Sequence, residues 1–157
     1  MTPRPVDVAS VQAKLRSLDE LGSALRLVGE VDGARLEQEV LLRLAVERAL
    51  TRTVDLVVAV CSHVVAAETT TVPTTYRDAV RAAAEHGLIG TDLARSLVAA
   101  VGLRNILVHE YARADLSIVA AAVPTAQRDL ADFVRQVASW LQHRRGSGGV
   151  FRAGPGH

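Results

Sequence analysis

Five side chains able to do chemistry fall within eight residues, Arg104-Asn105-Ile106-Leu107-Val108-His109-Glu110-Tyr111, in an otherwise apolar passage. An imidazole titrates near neutrality, so His109 can take a proton from a hydroxyl or return one to a leaving oxygen. Arg104 offers a permanent, forked charge for the oxyanion that builds on a phosphorus. Asn105 can orient a phosphate oxygen or the imidazole, and Tyr111 can donate to a phosphate or be modified. The set suits cleavage of an RNA phosphodiester without a metal, the 2′-hydroxyl being the nucleophile. In-line cleavage is served by a base and an acid, and the stretch holds one histidine. A two-fold dimer that brings two copies together would supply both. The same residues also make an ordinary helix end, where a histidine is favoured by the helix dipole and a tyrosine is half buried.

Helical periodicity must position these groups. A seven-residue step returns to nearly the same helix face, so Arg104 and Tyr111 project side by side, with Asn105 and His109 on a neighbouring stripe. Leu93, Leu97, Ala100, Val101, Leu103 and Leu107 recur at helical spacing from Thr91 into the motif, which therefore sits late in a helix. Upstream, Val8, Val11, Leu15, Leu18, Leu21, Leu25 and Val28 mark an amphipathic helix over about residues 7–30. Asp32 or the residues just after it cap the next element, which runs without proline or glycine from Ala34 to about Glu68. Its second half, Val54 to Ala67, is apolar nearly all round, with Asp55 alone between Val54 and Leu56. A buried carboxylate is costly unless it is paired, so Asp55 needs a partner.

Thr69-Thr70-Thr71-Val72-Pro73 breaks that helix, and Thr74 or Thr75 caps a short one from Tyr76 to His86, stopped by Gly87. The last helix covers about Leu116 to His143, with Pro124 as a kink or a new start. Residues 1–143 form one domain by this reading, and 144–157 a glycine-rich disordered tail.

Composition limits the alternatives. The chain has 157 residues, 49% hydrophobic but only 3% aromatic, which favours an all-α bundle of about five helices. Net charge is +1, so RNA contact must come from a local cluster rather than a global field. One cysteine, Cys61, excludes an intrachain disulfide and a cysteine zinc site, and fits a reducing interior. No histidine or carboxylate cluster has metal-ligand spacing, so no metal is expected. His63 is expected as a satisfied core histidine and His86 as a helix C-terminus. The first residues lack an apolar signal core, and no uncharged 18-residue apolar run occurs, so a soluble, cytoplasmic protein is expected.

Arg104, four residues, His109, one residue, Tyr111, with Asn105 after the arginine, resembles the signature of HEPN-domain ribonucleases, specifically the HepT toxin family. Leu44 to Val65 resembles that family's long helix with its central Asp, and Tyr76-Arg77-Asp78 through Leu103 its short helix, turn and motif helix. The similarity spans roughly residues 36 to 142. It implies an all-α homodimer with an endoribonuclease cleft at the interface, Arg104 and His109 as the catalytic pair, Asn105 in support and Asp55 as a weaker candidate. It further implies a type VII-like toxin–antitoxin pairing with a MntA-like nucleotidyltransferase antitoxin. That partner would use ATP to place AMP on Tyr111, cleavage itself needing no cofactor. Neither a membrane nor DNA is an expected partner. The alternative is a non-catalytic helical dimer that binds or scaffolds the nucleotidyltransferase, and a plain structural bundle is a third reading.

Overall fold

The computed structural model describes residues 4–109 and 114–147. Six helices follow one another: α1 (Val8–Val28), α2 (Gly33–Gln38), α3 (Val40–Glu68), α4 (Tyr76–Glu85), α5 (Thr91–His109) and α6 (Leu116–Ser147). The described residues are otherwise turns and loops, so the expected all-α bundle is what forms.

Local chemistry sets most boundaries. Asp7 caps α1 by accepting from the Ser10 N–H at 3.0 Å, and Val11, Leu15, Leu18, Gly22 and Leu25 are its buried stripe. The helix stops at Gly29, whose φ of 69° suits a residue without a β-carbon. Asp32 caps α2 from its carboxylate to the Arg35 N–H at 2.8 Å. Thr75 caps α4 in the same manner at 3.1 Å, and the chain leaves α4 through His86 and the positive-φ Gly87.

The helix expected from Ala34 to Glu68 is two helices. Arg35 reaches back to the carbonyls of Val28 and Glu30, and Leu36 is fully buried, so α2 is fastened to the turn before it. Against α6 it is equally close: a β-carbon on Gly33 would lie 2.8 Å from the Ser117 hydroxyl. The backbone leaves the helical region at Glu39, φ −100° and ψ 83°, which frees α3 to take its own direction. Six helices therefore stand where about five were expected.

α3 is the centre of the bundle. Its best 18-residue window has mean hydropathy 1.5, long and apolar enough to cross a membrane by length and composition, yet 61% of that window is buried against other helices. Val57, Val60, Cys61, Val64 and Val65 are almost wholly enclosed. Burial pushes the Cys61 thiol up to about 12, which leaves an inert, packing side chain.

Cross-helix pairs fix the directions. Asp7 N–H donates to His63 Nε2 at 2.9 Å, which ties the start of α1 to the far half of α3 and satisfies that histidine. Ser96 on α5 reaches Asp129 on α6, and Gly90 N–H donates to Gln136, so α5 and α6 are antiparallel. Thr69–Thr75 doubles back along α3, since Tyr76 meets Asp55 while Ala82, Glu85 and His86 share a depression with Val65 and Thr69. α4 therefore runs beside α3 in the same direction, starting at the level of Asp55. Pro124 lies inside a single α6, on an exposed position beside a solvent-filled depression where the missing backbone donor is cheap. α6 also takes in Arg144 and Arg145, residues expected in the tail. Arg144 lies over the Trp140 ring at 4.8 Å and pairs with Glu68.

Candidate functional site

Arg104 sits on the face of α5 that carries Leu97 and Val101, because 97 and 104 are two turns apart. Its guanidinium is thereby driven inward, and a lone charge there would be costly. Asp55 answers it from α3. Arg104 Nε donates to Asp55 Oδ1 at 3.0 Å, the two side chains being 16% and 27% exposed. Tyr76 completes the arrangement: its hydroxyl donates to the same carboxylate oxygen at 3.3 Å, and its ring lies under the guanidinium, 4.7 Å from centroid to carbon.

Three helices thus converge on one arginine. Arg104 Nη1 makes a long contact of 3.4 Å with Asn105 Oδ1. Its Nη2 has no partner among the described residues, and no buried side-chain N or O among them is left unsatisfied, so Nη2 is not sealed off by the described residues. The clamp fixes the rigid, planar group while leaving an edge for a phosphate oxygen.

His109 lies at the last residue of α5 and is exposed, with no hydrogen bond to other described residues. Five residues on a helix separate it from Arg104 by about 140° in direction and roughly 7.5 Å in rise. Within one chain the structure brings Arg104, Asn105 and Asp55 together and holds His109 apart, on the stripe it shares with Asn105. Tyr111 lies outside the described residues. Among the described residues no group of three His, Cys, Asp or Glu side chains is gathered as a metal would require.

Beside the clamp is an apolar groove of about 320 Å³ between α3, α5 and α6. Leu50, Val54, Leu97 and Leu130 form its floor, Ile118 and Ala121 its rim, and Arg104 borders it. Ile118 is 59% exposed there. Asp129 sits at one side, held by the Ser96 hydroxyl at 2.5 Å, and burial raises its pKa above the usual carboxylate value.

The residue missed at the level of sequence is Tyr76. Its aromatic ring directly after the Thr75 cap was read as a helix start, and nothing local links it to residues 21 and 28 positions away. The need of Asp55 for a partner was the available signal, and it did not say which residue would answer.

Known proteins resemble this chain in sequence and in fold. The family Ribonuclease HepT-like matches residues 17–137. The mRNA nuclease HepT of Shewanella oneidensis is 30% identical over 103 residues, 66% of this chain and 77% of that protein. A structure of a tri-AMPylated Shewanella oneidensis HEPN toxin in complex with MNT antitoxin superposes with a TM-score of 0.74 at 26% identity, covering 82% of this chain and 96% of that one. A toxin–antitoxin structure with AMP-PNP gives 0.72 at 25% identity, covering 81% and 96%. With the match spanning α1 to α6 and the arginine clamp in place, the chain belongs to the ribonuclease HepT-like family and is a HEPN-type endoribonuclease by that membership.

Proposed function

We propose that this protein is the toxin of a type VII-like toxin–antitoxin pair, a metal-independent endoribonuclease acting at a site made by two copies of the chain. The observation that carries this reading is the clamp on Arg104, three-sided and open at Nη2, one helix end away from a His109 that has no partner among the described residues. A fixed guanidinium stabilises charge building on a phosphorane, and an exposed imidazole moves the proton. One imidazole takes the proton from the 2′-hydroxyl, whose oxygen attacks phosphorus. A second protonates the departing 5′-oxygen, and a 2′,3′-cyclic phosphate remains. With one His109 per chain, the second comes from a two-fold partner. The apolar groove bordered by Arg104 supports such a partner, because its rim of Ile118 and Ala121 is apolar and open.

The antitoxin in this reading is a MntA-like nucleotidyltransferase. It draws on ATP: the Tyr111 phenol oxygen attacks the α-phosphorus, pyrophosphate leaves, and AMP stays on the tyrosine. The tri-AMPylated HEPN toxin in complex with MNT antitoxin and the toxin–antitoxin structure with AMP-PNP support this step. The added phosphate brings negative charge and bulk close to the motif and competes for the place of the RNA phosphate. The action belongs in the cytoplasm, where RNA and ATP are found.

His109→Ala and Arg104→Ala should each lower cleavage of a defined RNA by roughly 10² to 10⁴, with circular dichroism retained in both and the melt lowered only for Arg104→Ala, which leaves Asp55 without its charge partner. Full cleavage by both variants would remove these residues from the chemistry. An all-deoxy copy of the substrate should resist, and its efficient cleavage would exclude a 2′-hydroxyl nucleophile.

A further inference from the structure

Six arginines among the described residues are neutralised at short range. Arg35, Arg81, Arg95, Arg104, Arg135 and Arg144 each pair with a carboxylate. Arg48, Arg52 and Arg77 are exposed and, like Arg4, Arg16 and Arg145, make no ion pair or side-chain hydrogen bond with other described residues. The first three surround one place. Arg48 is seven residues and Arg52 three residues before Asp55, so both project within about 60° of it on α3. The guanidinium of Arg77 lies against Gly102 of α5, 3.5 Å from where a β-carbon there would sit. Gly102 and His109 are two turns apart and share a face.

The topology leaves this place open. α4 starts only at the level of Asp55 and runs away from residues 44–52, so it covers none of that part of α3. α5 runs the other way, carrying Asn105 and His109 down past the same level. The result is an uncovered face with Arg48 and Arg52 on one wall, Asn105 and His109 on the other, and Arg77 at its head. Nearby carboxylates do not cancel the charge: Asp55 is held by Arg104 and Tyr76, Asp78 faces Arg81, and Glu47 points about 80° away from Asp55. Unpaired guanidinium groups beside a phosphodiester site fit a polyanion, and their forks and flat faces suit phosphates and unstacked bases.

We propose that Arg48 and Arg52 on α3, with Arg77 at the start of α4, form a phosphate track that holds single-stranded RNA on either side of the bond cut at Arg104 and His109. The proposal rests on the ribonuclease reading above. It makes the net charge of +1 irrelevant to affinity, because the binding charge is local.

The test uses the full chain and two probes: a single-stranded RNA of about twelve nucleotides, 2′-O-methylated so that it cannot be cut, and a cleavable dinucleotide. Arg48→Ala/Arg52→Ala should weaken binding of the long probe by about tenfold at low salt and make the log Kd against log salt plot shallower by roughly 0.7 per arginine. Dinucleotide cleavage should keep the wild-type rate, while a cleavable long RNA shows a raised KM and unchanged kcat. Arg95→Ala/Arg135→Ala removes the same charge elsewhere and should change nothing. An unchanged salt slope, an equal effect of the control pair, or loss of the dimer in sedimentation would each overturn the track, the last because a second copy then covers that face. Failure of the underlying reading looks different: the wild type itself would cut neither the dinucleotide nor the cleavable long RNA.

Discussion

Arg104 is useful because its neighbours prevent it from doing what an isolated arginine does, which is to wander in water. Asp55 supplies the charge that allows it to sit 16% exposed, and Tyr76 supplies a flat surface and a second bond to the carboxylate. These are positioning residues, and their loss should be graded. Asp55→Ala should destabilise the fold by about 1–2 kcal/mol, since a hydrogen-bonded charge pair that retains some solvent contact loses less than a fully buried one. It should also lower cleavage while the loss on Asp55→Asn, which keeps an acceptor, stays smaller. Tyr76→Phe removes only the 3.3 Å bond and should cost little, whereas Tyr76→Ala removes the ring as well. Thermal melts and single-turnover cleavage read both series; identical activity for Tyr76→Phe and Tyr76→Ala would show that the ring does not hold the arginine.

At the scale of the element, the register of α5 against α3 and α6 decides what the motif faces. Ser96 and Asp129 contribute to that register from the opposite end of the groove. Burial raises the Asp129 pKa, so between about pH 4 and the folded value the native state binds more protons than the unfolded one. Stability from this group is therefore lost as pH rises through that window, and above it the ionised carboxylate works against the fold. Asp129→Asn, which still accepts from Ser96, should melt higher than wild type at neutral pH, the gap closing toward pH 3.5 or about there. A gap that is constant with pH would mean that charge burial is not the cause. The break at Glu39 belongs to the same scale, because it lets α3 leave the path of α2 and leaves the α3 face around Arg48 uncovered.

For the whole molecule, the distance in direction between Arg104 and His109 within one chain makes the second copy part of the proposed enzyme. If two His109 imidazoles act together, an inactive subunit poisons its partner. Mixing wild type with increasing His109→Ala under conditions of subunit exchange should reduce cleavage faster than the wild-type fraction falls, close to its square. A linear decline would show that each chain works alone.

The sequence by itself determined the helical class, a cap near Asp32 and one at Thr74 or Thr75, the position of the motif late in α5 and the need of Asp55 for a partner. Those features depend on periodicity of 3.6 residues, on side chains acting within three residues, and on the cost of an unpaired charge, all of which are local. Tertiary structure decided the rest. Which arginine meets Asp55 depends on the antiparallel register of α3 and α5, 49 residues apart in the chain. Tyr76 reaches the same carboxylate because residues 69–75 double back, and the break at Glu39 follows from how α2 packs on α6. Long-range register has no signature in a single window of sequence, since it is set by how whole faces pack rather than by neighbours along the chain.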